Sequence, residues 1–193
     1  MSEIKQLLSF MVEVEKLKSV LRKTKPVGHD RYENSAEHSW HVSLMALLLK
    51  DYADEEININ RVIRMLLIHD LGEIEAGDTI IYASETTEIK QQESRGIHKL
   101  FALLPRKMEA EFNTLWLEFE TGESNDAKFA KAIDRVPPLL HNIYGEGHSW
   151  KQHNIPKEKV FALNKERIQG ASQELWSALD PMLNKAVDEG ILN

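Results

Sequence analysis

The sequence predicts an all-α domain. In the N-terminal segment apolar residues recur every three or four positions, which is the period of one helix face, and strict alternation of apolar and polar residues, typical of a half-buried strand, appears over no useful length. The repeating positions are Ile4, Leu7, Leu8, Met11, Val14, Leu17 and Leu21. Capping and helix-breaking residues then divide the rest of the chain into further helices.

The first two helices are predicted from their boundaries. The first is expected to end near Lys23, before Pro26 and Gly28. Asn34 then makes a good N-cap, because Glu37 three residues later is placed to bond its backbone amide and an apolar run follows at residues 42–49. His38 and His41 share one stripe of this second helix with apolar residues, so at least one imidazole faces inward.

The third helix is predicted from about residue 60 to residue 70. Its segment 65–68 is apolar all round, as expected of a helix that is buried on most sides, so His69 and Asp70 are carried into the interior. Gly72 and Gly77 bracket the next four residues, and we expect the chain to leave regular helix before Asp78.

Residues 85–121 are predicted to form two helices that are broken at Pro105. A polar turn at 122–125 precedes another helix, which Pro137 and Pro138 should end or kink near Val136. Residues 144–156 are predicted to be loop, in which 145–153 is either a connector with one packed Trp or a mobile cover over a pocket. Pro156 suits the start of the last helical region and Gly190 its end.

Composition limits the classes of function. The 24 basic and 31 acidic residues make the chain mildly acidic, which argues against duplex nucleic acid or an anionic membrane as a partner. The sequence contains no Cys, so a metal ion must be held by His, Asp or Glu. Because neither a secretory leader nor a long apolar span is evident, we expect a cytoplasmic protein.

Four ionisable residues stand in apolar helical contexts. His38, His69, Asp70 and Asp134 are costly to bury unless they are paired, hydrogen-bonded or bound to a metal. Two imidazoles and two carboxylates suit one divalent ion such as Mn, Fe, Co, Ni, Zn or Mg, and leave positions for water and substrate. A His-Asp dipeptide alone is a weak signal, since a lone buried His is usually a hydrogen-bonded core residue.

Two further carboxylates follow the His-Asp pair. Glu73 lies one turn beyond Asp70 if the helix continues, where it is placed to orient or deprotonate a water molecule. Asp78 follows the turn at Gly77 and is placed to hold a substrate hydroxyl or to assist proton transfer. We therefore predict that Glu73 and Asp78 are catalytic residues.

Four ordered segments carry a resemblance to a known family. Residues 33–39 (ENSAEHS), 67–73 (LIHDLGE), 77–78 (GD) and 131–135 (KAIDR) resemble the HD superfamily of metal-dependent phosphohydrolases, in particular small proteins similar to bacterial 5′-deoxynucleotidases. The resemblance implies one HD-domain helical bundle over residues 1–193, with the metal-site core at about 15–150 and C-terminal helices 156–190 packed on it. It also implies that His38, His69, Asp70 and Asp134 ligate the metal, that Glu73 serves the nucleophilic water and that Asp78 lines the substrate site.

Several roles stay open in the sequence. His41 competes with His38 as a ligand, and the family pattern favours His38. His141 and Asn142 either orient a ligand or form a polar rim beyond the proline kink. Arg22 takes the place of the arginine that the family uses for phosphate capture, but Lys23 follows where the 5′-deoxynucleotidases most often have a tryptophan. Further phosphate candidates are Lys23, Lys25, Arg31, Arg95 and Arg135.

The predicted function is removal of phosphate from a small nucleotide, with a (deoxy)nucleoside 5′-monophosphate as the preferred substrate. Two alternatives remain: hydrolysis of a pyrophosphate or triphosphate bond in a signalling nucleotide, and a non-catalytic nucleotide-binding or scaffold protein. We also expect a homodimer, because the related proteins are commonly dimers and abundant apolar helices permit one.

Overall fold

A computed structural model describes residues 2–80, 82 and 87–193 of the chain. Within these residues the secondary structure is helical, and the only β-type pairing is an isolated bridge between Leu21 and Asn34. The all-α prediction is confirmed. The helices are α1 (Glu3–Val14), α2 (Ser35–Leu49), α3 (Ile59–Ile68), α4 (Glu73–Ala76), α5 (Thr87–Phe101), α6 (Arg106–Thr121), α7 (Asn125–Asp134), α8 (Val136–Tyr144), α9 (His148–Gln152), α10 (Lys157–Gln169) and α11 (Gln173–Asp188).

The start of α2 is fixed by the predicted capping box. The Asn34 side chain accepts hydrogen bonds from the backbone N–H groups of Ala36 and Glu37. The Glu37 carboxylate in turn accepts one from the Asn34 N–H, at 2.8 Å. These bonds satisfy amides that a helix start otherwise leaves unpaired, and they fix His38 in the first turn.

The prediction that the first helix continues to about Lys23 is wrong. Helix α1 ends at Val14, a 3₁₀ helix follows over Glu15–Ser19, and the chain is then extended. The Arg22 N–H donates to the Glu33 carbonyl at 2.8 Å, and the Ser35 N–H donates to the Val20 carbonyl at 3.0 Å. This pairing with a segment far along the chain outweighs the local helical periodicity, and it carries Arg22 and Glu33 to the same place.

Helix α3 lies at the centre of the larger core and packs against α2, α6 and α7. Val62, Met65 and Leu66 are fully buried, as the apolar sequence predicts, but 50% of Leu67 is exposed. The helix ends at Ile68, and His69–Gly72 form a 3₁₀ helix. The tighter turn changes the direction in which His69 and Asp70 point, although both are buried as predicted.

The boundaries predicted for the middle of the chain are confirmed where the structure describes them. Helices α5 and α6 are separated at Pro105, and α7 and α8 are separated at Arg135, two residues before the first of the two prolines in the first turn of α8. Residues 85 and 86, predicted to start α5, lie outside the described residues.

The prediction that residues 144–156 are entirely loop is wrong in part. Tyr144 ends α8, and residues 148–152 form the short helix α9. The Asn142 side-chain oxygen accepts hydrogen bonds from the backbone N–H groups of Ser149 and Trp150, and Trp150 is buried. These contacts are those of a connector with a packed Trp.

A second group of buried apolar residues joins α8, α10 and α11. Helix α10 packs against both α7 and α11, so the C-terminal helices lie beside the end of α7. Proline and glycine mark the predicted limits, since Pro156 precedes α10 and Gly190 follows α11 with a positive φ of 69°. Within the described part of the chain, no helix combines the length and apolar character that crossing a bilayer requires.

Loss of the α2 cap should destabilise the protein. We expect Asn34→Ala to lower the free energy of unfolding by about 1 kcal/mol, because two helix amides lose their acceptor. Urea denaturation followed by circular dichroism measures this change. Asn60→Ala, at an exposed position of α3, is the control and should change stability by less than about 0.5 kcal/mol; equal effects of the two substitutions would contradict the capping role.

Candidate metal centre

Three helix ends bring the predicted ligands together. His38 lies in the first turn of α2, His69 and Asp70 follow α3, and Asp134 is the last residue of α7. Because α2, α3 and α7 pack against one another, their ends meet at one place. Ligand atoms of His38, His69 and Asp134 lie within 4.8 Å of one another.

Asp134 is the carboxylate nearest to both imidazoles. Its Oδ1 lies 2.9 Å from His38 Nε2 and 3.4 Å from His69 Nε2. Asp70 lies beside this group, with Oδ1 at 3.0 Å from His69 Nε2. The structure thus brings together all four residues that the sequence predicted as ligands.

The His69 ring directs its Nε2 at Asp70 and Asp134. Burial lowers the pKa of His69, but these two carboxylates outweigh burial and raise the pKa to about 10. The Nδ1 of the ring lies 2.7 Å from the Leu66 carbonyl, which only accepts, so Nδ1 carries the hydrogen and the Nε2 of a neutral ring carries a lone pair. Among the described residues this buried Nε2 has no partner with hydrogen-bond geometry, although two carboxylate oxygens are near it. A lone pair and carboxylates that converge in this way are the donor set of a divalent cation.

Glu33 is a functional residue that the sequence reasoning missed. Its Oε2 lies 3.3 Å from His38 Nδ1, on the side of the ring opposite to Asp134. A carboxylate there is placed to orient the His38 ring, whose Nε2 is hydrogen-bonded to Asp134 Oδ1 at 2.9 Å. Among the described residues, neither Glu33 Oε2 nor His38 Nδ1 has a partner with hydrogen-bond geometry. The sequence signal was present, because Glu33 belongs to the first matching segment, but only the bridge between Leu21 and Asn34 turns it toward His38.

Arg22 is surrounded by carboxylates. Its Nη1 donates to Asp70 Oδ2 at 2.7 Å and lies 3.9 Å from Glu73 and 3.7 Å from Asp78, while its Nε lies 3.6 Å from Glu33. Only 8% of the residue is exposed. Burial disfavours the charged guanidinium, but these carboxylates outweigh burial and raise the pKa of Arg22.

Glu73 and Asp78 both have a carboxylate oxygen within 4 Å of Arg22 Nη1. Ser35 Oγ donates to Glu73 Oε2 at 2.6 Å. Asp78 Oδ2 is buried and has no hydrogen-bond partner among the described residues. Both side chains line the same cavity as His69 and Asp134, which has a volume of about 300 Å³.

The carboxyl groups of the site fall into two sets by pKa. Burial alone would raise all of them, but His69 and Arg22 lower the pKa of Asp70 to about 2, and the two imidazoles hold the pKa of Asp134 well below its usual range. Burial and the nearby Asp70 raise the pKa of Glu73 well above its usual value, and burial also raises that of Asp78. Such separation is typical of sites in which one group bears charge and another moves a proton.

His41 and His141 form a neighbouring group with Glu33. His141 Nδ1 is hydrogen-bonded to Thr24 Oγ1 at 3.2 Å, and its Nε2 lies 3.9 Å from Glu33 Oε1. His41 stacks on His141 with ring centroids 6.4 Å apart. The two rings therefore lie on the Glu33 side of the site. His38, and not His41, is the histidine of α2 that contacts Asp134.

Comparison with known families agrees with this geometry. The family model described as HD domain matches residues 14–176, which include all the residues placed at the site above. The chain therefore belongs to the HD-domain family. Proteins of this fold carry a divalent metal, and the donor set found here suits one.

Several curated relatives share one name. The chain is 33% identical over 138 residues to the 5′-deoxynucleotidase HDDC2 of Bos taurus, a match that covers 70% of this chain and 66% of the relative. The protein of the same name from Dictyostelium discoideum is 31% identical over 162 residues, covering 80% of this chain and 85% of the relative. The chain thus matches just under two thirds of the bovine protein's length.

A solved structure matches the whole chain. It is a predicted metal-dependent phosphohydrolase from Magnetospirillum magnetotacticum, with a TM-score of 0.93 and 45% sequence identity, and the match covers 100% of this chain and 99% of that one. An HD-domain phosphohydrolase from Listeria innocua, at 16% identity and a TM-score of 0.61 over 95% of this chain and 86% of that one, shares the fold.

The ligand assignment predicts which substitutions weaken metal binding. We expect the protein to bind one Co²⁺ or Mn²⁺ ion per chain, and His38→Gln and Asp134→Asn to lose it. Glu33→Gln should weaken affinity by about 10- to 100-fold, because His38 then loses the carboxylate that fixes its ring. Isothermal titration calorimetry with the metal alone measures these affinities.

Two histidine variants serve as comparisons for this titration. His98→Gln, at an exposed position of α5, should bind metal like the unmodified protein. His41→Gln should also keep the ion. Loss of metal in His41→Gln with retention in His38→Gln would transfer the ligand role to His41 and contradict the assignment.

Proposed function

We propose that the protein is a metal-dependent phosphohydrolase that removes the phosphate from a nucleoside 5′-monophosphate, with deoxynucleotides as the first candidates. The observation that carries the proposal is the meeting of His38, His69, Asp70 and Asp134 beside two more carboxylates in one cavity. The curated relatives named 5′-deoxynucleotidase and the phosphohydrolase from Magnetospirillum magnetotacticum support it.

His38, His69, Asp70 and Asp134 would hold the metal ion. A divalent ion bound there would polarise a phosphoryl oxygen and lower the pKa of a bound water. The protein would orient the imidazoles through the hydrogen bond of His69 to Leu66 and the nearby carboxylate of Glu33, with the Nε2 atoms of both rings directed at Asp134. We propose one ion per chain, and the candidates are Mn, Co, Ni, Fe, Zn and Mg. Calorimetric titration with each metal in turn ranks their affinities.

Glu73 would take the proton of the attacking water. Its raised pKa makes the ionised carboxylate a stronger base than an exposed glutamate, and the hydrogen bond from Ser35 fixes its position. Asp78, with its unpartnered Oδ2 in the cavity, would accept a hydrogen bond from a substrate hydroxyl. Arg22 would contact the phosphate while it holds the carboxylates of Asp70, Glu73 and Asp78 in place.

Two observations point in opposite directions on the preferred sugar of the substrate. The name of the relatives specifies deoxynucleotides. In this chain, however, Lys23 follows Arg22 at the position where the 5′-deoxynucleotidases most often have a tryptophan. Hydrolysis of a pyrophosphate or triphosphate bond, or binding without turnover, are the alternatives. Product analysis separates these alternatives from the main proposal. Hydrolysis of a pyrophosphate or triphosphate bond would release pyrophosphate or tripolyphosphate, and binding without turnover would release no product.

We further propose that residues 1–193 form one HD domain, with residues 156–190 packed on the metal-site core. Contacts of α10 with α7 support this organisation. We also propose a homodimer. Trp40, Leu44, Leu47 and Leu48 are exposed on α2 and form an apolar stripe that a second copy would cover. A cytoplasmic location stays a prediction from the sequence.

The catalytic role of Glu73 predicts a separation of turnover from metal binding. We expect Glu73→Gln to lower kcat by about 100-fold or more, because the variant loses its base, while its metal content stays unchanged. Phosphate release from a panel of nucleoside 5′-monophosphates, with Mn, Co, Ni, Zn or Mg supplied, measures activity. Glu75→Gln, on the same short helix but exposed, is the control.

Two outcomes of this assay would contradict the proposal. Unmodified protein that releases no phosphate under any metal loading would reject the phosphomonoesterase function. Equal turnover by Glu73→Gln and Glu75→Gln would reject the role of Glu73 as the base.

The dimer proposal predicts the mass in solution. Light scattering after size-exclusion chromatography should give about twice the chain mass of 22.2 kDa. The double substitution Leu44→Glu and Leu48→Glu should give the mass of a single chain, because it places charge in the apolar stripe. Leu163→Glu, at a partly exposed position of α10, is the control; a single-chain mass for the unmodified protein would refute the dimer.

A further inference from the structure

Arg22 alone does not balance the charge of a bound phosphate. Its guanidinium is already within 4 Å of Glu33, Asp70, Glu73 and Asp78, so its positive charge is offset before any substrate enters. A phosphate monoester brings further negative charge into a cavity with these carboxylates. Cations beyond Arg22 are needed if the cavity is to accept it, and the candidate metal centre would supply one of them.

Besides Arg22 and Lys90, three cations line the same cavity. Lys131 lies on α7, Arg135 is the residue that directly follows α7, and Arg167 reaches the cavity from α10. Arg135 follows Asp134 directly in the chain, so this group adjoins the candidate metal centre. We call these three residues the cationic wall.

Among the described residues, the cationic wall makes no direct ion pair with a carboxylate. In the part of the chain that the structure describes, no carboxylate oxygen lies within 4.0 Å of the charged nitrogens of Lys131, Arg135 or Arg167. Lys131 instead places its ammonium 4.4 Å from the centre of the Phe119 ring and donates to the Glu120 carbonyl at 3.3 Å. Glu120 also lines the cavity, so the wall has an acidic neighbour without a direct pair.

The charges of the wall act on one another. Burial lowers the pKa of Lys131, and the nearby Arg167 and Arg135 lower it further against the opposing effects of Glu120 and Asp134. Burial and Arg135 likewise lower the pKa of Arg167, against the opposing effects of Asp134, Glu166 and Glu120. Like charges one turn apart on a helix are destabilising, and here α10 adds a third charge to the same place. A bound anion would turn this cost into a favourable interaction.

We propose that Lys131, Arg135 and Arg167 form an anion subsite that binds the phosphate group of the nucleotide, between the candidate metal centre and α10. This proposal rests on the proposed phosphohydrolase function and names the residues that hold the group to be removed. The phosphate would lie between two sources of positive charge, the metal centre with Arg22 on one side and the cationic wall on the other. Binding would depend on the phosphate and not on the base.

Inorganic phosphate is the probe that tests the subsite without turnover. Calorimetric titration of the metal-loaded protein should show phosphate binding, and the double variant Arg135→Gln with Arg167→Gln should weaken it by at least about tenfold, since two charged donors are lost. Arg106→Gln, at the exposed start of α6, is the control and should bind phosphate normally. Phosphate should also raise the melting temperature of the unmodified protein and of the control more than that of the double variant.

Kinetics supply a second and independent measurement. In the double variant KM for every hydrolysed nucleoside 5′-monophosphate should rise about tenfold or more with kcat changed by less than about threefold, which is the result of losing binding that substrate and transition state share. Lys131→Met should raise KM in the same direction. The melting temperature of each variant verifies that it is folded.

The outcomes distinguish this inference from the proposed function. Unchanged phosphate affinity and unchanged KM in a folded double variant would overturn the subsite while hydrolysis itself stands. Phosphate binding that depends on the cationic wall, in a protein that hydrolyses no nucleotide, would support the subsite and reject the hydrolase. A KM increase for some bases and not for others would overturn the assignment of the wall to the phosphate.

Discussion

Buried negative charge is the constraint on which the centre of this molecule depends. Glu33, Asp70 and Asp134 are held in surroundings that remove most of their contact with water, and such carboxylates are stable only beside cations or hydrogen-bond donors. Arg22 supplies one fixed positive charge, and the imidazoles of His38 and His69 complete the environment of Asp134. The loss of any one of these partners would leave a buried charge uncompensated. The segments that carry them are therefore stable only when they are packed together.

The backbone brings these groups together at the ends of elements. The capping box at Asn34 fixes the first turn of α2, the bridge between Leu21 and Asn34 aligns Arg22 with Glu33, and the 3₁₀ helix after α3 turns His69 and Asp70 inward. Helix ends leave backbone groups and side chains free to change direction, so several ends that meet can surround one small volume. The core of α2, α3 and α7 supplies the packing that holds the ends in place.

The resulting cavity is lined by two groups of charged residues, which together would allow an acidic chain to bind the proposed phosphate substrate. Around Arg22 the carboxylates exceed the cation, as suits metal binding and proton transfer, whereas Lys131, Arg135 and Arg167 face the cavity with positive charge. A phosphate group bound between these two groups of residues would contact the candidate metal centre on one side and the cationic wall on the other. The overall charge of −7 is therefore a poor guide to the charge that a ligand meets inside the cavity.

The sequence by itself determined the helical class, the cap at Asn34, the breaks at Pro105 and Pro137 and the set of ionisable residues in apolar contexts, because each follows from local periodicity or capping. Only the tertiary structure decided that the first helix stops early and that Glu33 supports His38. It also decided that Arg22 is enclosed by carboxylates and that Arg167 joins Lys131 across two helices. These facts depend on residues far apart in the chain, whose approach is set by packing and charge compensation that no local pattern records.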